Sequence, residues 1–122
     1  MKEMMAVFVG GGLGTLLRWQ CQSFLNKPEH WPWGTLTVNL IGGLAAGCCL
    51  ALADRLSPET RLFVVTGVLG GLTTFSALSY EMVAMMNRGE HVWSLCYGLI
   101  SLTLATAFCW LGFMAINRLG SL

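Results

Sequence analysis

Apolar positions along the chain gather into four long runs, about Met4–Phe24, Trp33–Ala53, Leu62–Met86 and Val92–Ile116, with short polar links between them. Each run reaches the roughly 20 residues a helix needs to cross a bilayer, and the second carries no charge at all. The pattern predicts one all-α membrane domain over residues 1–122, with four transmembrane helices. The links supply the boundaries. Asn26–Trp31 holds Lys27, Pro28, Glu29 and His30; Pro32 between Trp31 and Trp33 marks an interfacial helix start. In the link Asp54–Arg61, Ser57 and Pro58 read as an N-cap and a first-turn proline. Asn87–His91 closes the last gap, and both histidines are solvated link residues.

The third run is badly built for an unbroken helix. Its stretch Thr66–Glu81, TGVLGGLTTFSALSYE, places Gly67, Gly70 and Gly71 in the interior, at about 1 kcal/mol each relative to alanine. Thr73, Thr74, Ser76 and Ser79 follow, with hydroxyls that favour caps and turns. Gly70-Gly71 is expected to stop one half-helix and Thr73-Thr74 to cap the next. A break at membrane depth is tolerated only where the backbone is buried in protein or lines a polar cavity. Freed carbonyls suit a cation and a half-helix N-terminus suits an anion, so this stretch predicts an ion site.

Composition fixes the class: 55% of the 122 residues are hydrophobic and 11% charged, against about 25% charged in a soluble domain. Mean hydropathy is +0.65. The net charge of +1 gives no reason to invoke nucleic acid or an acidic partner. No Walker loop, HExxH or nucleophile elbow occurs, so an enzyme is not expected. The first apolar run has no small-residue cleavage site and is followed by further runs, so it is not expected to be a removable signal. Cys21, Cys48, Cys49, Cys96 and Cys109 form no CxxC pair and read as small packing residues rather than metal ligands or disulfides.

Several side chains have two readings. Gly10 and Gly14 make a GxxxG pair suited to a packing seam. Arg18 is either an intramembrane functional charge or an arginine snorkelling beside Trp19. Asn39, on the face of Gly43 and Gly47, is either interhelical glue or an amide donor to a dehydrated anion. Phe75 and Ser79 lie at i,i+4 with Ser76 adjacent, setting the positive edge of a ring beside hydroxyls, although plain packing is the common role of such a ring. Glu81 ends this polar run as a charge at an aqueous mouth. Tyr97 and Ser101, with Thr103 and Thr106 nearby, either line a pathway or bond back to i−4 carbonyls. Lys2, Arg55, Arg61 and Arg118 face Lys27 and Arg88, with Arg18 leaning to the latter side, which is a weak orientation bias. Four short helices enclose little space alone, so an antiparallel dimer is expected.

Three motifs, GGGLGTLLRW (Gly10–Trp19), WGTLTVNLIGG (Trp33–Gly43) and GGLTTFSALSYE (Gly70–Glu81), give a chain that resembles the bacterial Fluc or CrcB fluoride channels over all four runs. The resemblance implies a dual-topology antiparallel homodimer in the bacterial cytoplasmic (inner) membrane. It implies passive, fluoride-selective conduction that lowers cytoplasmic fluoride. It also implies a structural sodium ion (Na+) on the dimer axis, held by the carbonyls of Gly70 and Thr73. Asn39 and Phe75 match pore residues, Thr74 and Ser76 adjoin them, and Arg18 matches the family's basic residue in the first helix. Leu78 departs from the family's usual second phenylalanine. That leaves either a pore with one such ring per subunit or a non-conducting partner of a heterodimeric channel. The reading from another class is a small dimeric proton-coupled drug or guanidinium exporter; it needs an embedded carboxylate, for which Glu81 is the one candidate near a run interior.

Overall fold

Helix α1 spans Lys2–Leu25 and α2 spans Trp33–Ala51 in the computed structural model, which describes residues 1–28 and 30–120. Glu29 of the first link lies outside the described residues. The short α3, Pro58–Arg61, starts as its sequence dictates: Ser57 accepts the Thr60 N–H at 3.2 Å, with Pro58 in the first turn. It runs on into a π-helical stretch, Leu62–Leu69, and then α4, Gly70–Leu72. Backbone helicity stops at Thr73 and Thr74 and resumes in α5, Phe75–Asn87. Gly89, at φ +82° in the left-handed region where only glycine is unstrained, turns the chain into α6, His91–Gly120.

The expected stop at Gly70-Gly71 is displaced. Gly70 is helical at φ −63°, ψ −35°, and extended backbone begins at Thr73, φ −81°, ψ 152°. The reason is packing. A Cβ on Gly71 would overlap the Gly11 carbonyl of α1, so Gly71 serves close helix approach rather than termination. Thr74 caps α5, its hydroxyl accepting the Ala77 N–H at 3.1 Å.

Two small-residue seams hold the helices together. Gly10 and Gly14 of α1 lie against Phe63, Gly67 and Val68 of the π-helical stretch, so close that a Cβ at either glycine would overlap a backbone carbonyl. Gly43 and Gly47 of α2 lie in the same way against Ala105 and Cys109 of α6. Lipid offers no hydrophobic drive for helix association, and backbone contact of this kind supplies dispersion instead. The first half of the third run therefore packs on α1 while α5, past the break, packs on α6. Leu36, Leu78, Met85 and Tyr97 form one buried cluster; Val38, Leu69 and Leu72 form another.

Outside these clusters large apolar side chains such as Phe8, Trp93, Leu102 and Trp110 are exposed, as in a protein whose solvent is lipid. Among the described residues three stretches are long and apolar enough to cross a membrane: Trp33–Ala51, Pro58–Asn87 and His91–Gly120. The first run, expected as a fourth, is not among them. Its four glycines and Arg18, Gln20 and Gln22 lower its hydropathy, although α1 has the length.

The seams make a sharp prediction. Gly14→Ala drives a Cβ into the Val68 carbonyl and is expected to cost about 1–3 kcal/mol of stability. Gly12→Ala, with nothing within 4 Å of the added carbon, leaves stability unchanged or slightly higher. Thermal unfolding of the two variants in detergent, side by side, checks this.

Candidate ion site at the helix break

An unbroken helix would send the Thr74 N–H to the Gly70 carbonyl. Here it donates to Asn39 Oδ1 at 2.8 Å, while Asn39 Nδ2 donates back to the Thr74 carbonyl at 3.3 Å. One side-chain amide thus replaces the lost acceptor of the Thr74 N–H and adds a second donor to a carbonyl that already starts α5. Thr73 bonds back, N–H and hydroxyl both donating to the Leu69 carbonyl at 2.9 Å, and its methyl fills the notch over Gly42. Asn39 therefore serves as interhelical glue, with one amide hydrogen left over.

The break opens on a groove of about 680 Å³ lined by Asn39, Thr73, Thr74, Phe75, Leu78 and Ser101 among others. Phe75 is 81% exposed, its ring uncovered by its own chain. Ser76 is exposed and lies 3.3 Å from the Thr74 hydroxyl; Ser79 donates back to the Phe75 carbonyl at 3.0 Å. Ser101 is 2% exposed, and its hydroxyl has no hydrogen-bond partner among the described residues. Leu78 fills the space between this groove and Tyr97.

A second polar cluster lies past Leu78. Glu81 is half-buried, and its carboxylate accepts from the Thr35 hydroxyl, from Asn26 Nδ2 at 3.2 Å and from the Tyr97 hydroxyl at 2.8 Å. Thr35, fully buried, accepts from Gln22 Nε2 at 2.9 Å. Every donor here comes from outside α5. The carboxylate thereby ties the end of α1, the start of α2 and α6 to one point. Glu81, expected at an aqueous mouth, is held among these donors, near the end of α1 and the start of α2.

Of the residues singled out in the sequence, Asn39, Thr73, Thr74, Phe75 and Ser101 share the groove, and Ser76 adjoins it through Thr74. Gly70 also borders it, with its carbonyl released from the ladder because the Thr74 N–H points elsewhere. Tyr97 and Glu81 meet one another in the second cluster. Arg18 joins neither, and no ion pair to it occurs among the described residues. Thr106 bonds back to Leu102 at 2.8 Å and lies outside the site. Gln22, Asn26 and Thr35 were not anticipated. Their signal is spacing: Gln22 and Asn26, like Thr35 and Asn39, lie four apart and so share a face.

The family model described as CrcB-like protein, Camphor Resistance (CrcB), matches residues 5–113. The chain belongs to the CrcB family. A CrcB relative from Serratia proteamaculans is 39% identical over 120 residues, covering 95% of this chain and 94% of its own. One from Bordetella petrii is 45% identical over 120 residues, 96% and 93% of the two chains. A third, from Burkholderia thailandensis, is 49% identical over 105 residues, 82% and 81%. All three are named fluoride-specific ion channel FluC. The CrcB chain is thus a multi-pass membrane protein of a non-enzymatic family.

Asn39→Leu strips the acceptor from the backbone N–H of a residue only 7% exposed, Thr74, whose carbonyl keeps its bond within α5. An orphaned N–H is expected to cost about 1–3 kcal/mol. Denaturant unfolding in mixed micelles would measure it, with the neighbouring exposed Ile41→Leu as the neutral comparison.

Proposed function

We propose that this chain forms a fluoride-selective channel that passively exports the ion and so lowers its cytoplasmic concentration. One observation carries the reading: on the groove that Asn39 and Thr74 border, Ser101 buries a hydroxyl that has no hydrogen-bond partner among the described residues. Burying a polar group without a partner is costly, and the cost is relieved when a dehydrated anion accepts from it. The remaining Asn39 amide hydrogen and the Thr74 and Ser76 hydroxyls are donors at the same level. Tyr97 lies one turn from Ser101, at the end of this donor line, with its own hydroxyl proton given to Glu81. Such weak successive sites let an ion enter and leave.

The working unit is an antiparallel homodimer in the bacterial inner membrane. A second copy over the break would cover Phe75, otherwise exposed to lipid beside polar backbone, and would close the groove into a conduit. The released carbonyl of Gly70 and that of Thr73 fit a hard monovalent cation. Two from each copy, related by a two-fold axis, would hold a structural sodium ion, which would pin the two breaks together and lend the site rigidity. Arg18 is assigned to attracting anions towards the entrance. Glu81 has its carboxylate committed to three donors, which leaves it poorly placed for the proton–cation exchange of a drug exporter.

The test is ion efflux from liposomes containing the purified chain, fluoride against chloride. Rapid fluoride loss with negligible chloride loss is the expected result, and Ser101→Ala is expected to slow it about tenfold, the equivalent of one lost charge-assisted hydrogen bond. Chloride loss matching fluoride loss would defeat the selectivity claim. Folded dimers that release neither ion would point to a partner-dependent subunit, with Leu78→Phe as the variant to restore activity.

A further inference from the structure

Thr35 has one hydroxyl proton and two lone pairs. Gln22 Nε2 donates to its oxygen at 2.9 Å and Asn26 Nδ2 at 3.3 Å. With both lone pairs engaged, the proton has one direction left, and it points to Glu81 Oε1. The second hydrogen on Asn26 Nδ2 goes to the same carboxylate oxygen at 3.2 Å. Asn26 Oδ1 is itself fixed by the Gly34 N–H at 2.7 Å, and Gly34 sits so close to α1 that a Cβ there would lie 2.7 Å from the Gln22 Cα. The first link and the last turn of α1 therefore set the orientation of a hydroxyl on α2 and, through it, of a carboxylate on α5.

We propose that Asn26 and Gln22 are positioning residues for conduction: they orient the Thr35 hydroxyl and park the Glu81 carboxylate beside Tyr97, at one end of the donor line. This rests on the fluoride reading above. Neither residue touches the groove. Their effect is indirect: a carboxylate held by Thr35 and Asn26 takes one bond from Tyr97 and stays out of the conduit, whereas a released one is free to swing towards the same hydroxyls a fluoride ion would use. The groups facing Glu81 are Asn26 from the first link, Thr35 from α2 and Tyr97 from α6; no cation reaches it among the described residues.

Asn26→Asp separates positioning from folding. It keeps the acceptor for the Gly34 N–H but replaces the donor to Glu81 and Thr35 with a second carboxylate. Two carboxylates in contact do not both ionise readily, so a shared proton should restore the bridge as the pH falls. The expected result is an intact dimer whose fluoride efflux, corrected for protein-free vesicles, is about tenfold slower than wild type near pH 8 and recovers towards about pH 5.5. Gln22→Leu, which removes only one donor from Thr35, should slow efflux about two- to fivefold with no pH recovery. Wild-type rates with a flat pH profile in Asn26→Asp, or wild-type rates in Gln22→Leu should Asn26→Asp not fold, would overturn the proposal. A wild-type protein silent to fluoride would instead overturn the channel reading. Positioning is then read from the infrared carboxylate band assigned by Glu81→Gln, which should shift in Gln22→Leu; an unshifted band overturns it.

Discussion

Everything in this chain turns on how the backbone of Thr74 is satisfied. In hydrocarbon there is no water to take an orphaned N–H or C=O, so a helix that breaks must find substitutes in its neighbours. Asn39 is that substitute, a side chain whose donor and acceptor copy a peptide group. Because the amide is anchored in α2, and α2 is locked to α6 by Gly43 and Gly47, the break is held by a rigid pair rather than by the run it interrupts. The interruption then becomes useful: it lets the third run leave α1 and continue along α6, and it releases the Gly70 carbonyl from the ladder.

The Glu81 cluster answers the same constraint in another way. A carboxylate within a membrane domain is costly unless its acceptors are filled. Two helices and the link after α1 each send one donor to it, and those donors are neutral rather than cationic. Two hydroxyls and an amide fill the acceptors of the carboxylate, with no paired cation among the described residues.

Much of this could be read from residues alone. Three of the four apolar runs, the Ser57-Pro58 helix start and the glycine seam of α1 followed from local spacing and chemistry, and Thr74 announced itself as a cap. What escaped is information carried by contacts between distant segments. Gly70 and Gly71 look like a stop because glycine is a poor helix former, yet Gly71 is needed for the approach of α1, and that need cannot be seen locally. Thr35 sits in an ordinary helix start, and Asn26 and Gln22 in what reads as an amphipathic helix end. Only when α1, α2 and α5 converge do these three become one cluster around Glu81. Asn39 carried both of its readings in the sequence; its pairing with Thr74 supplies the structural one, and one amide hydrogen remains for the other.

The two glycine seams also bear on how such a chain comes to be assembled. They join the first helix to the third run and the second to the fourth, an interleaved arrangement in which consecutive helices are not the principal partners. A helix leaving the ribosome early must therefore wait in the lipid, its small-residue face unmatched, until a segment some fifty residues later arrives. Association is thus separated in time from synthesis, and α1, which is not among the stretches apolar enough to cross a membrane, is the element most dependent on that delayed partner.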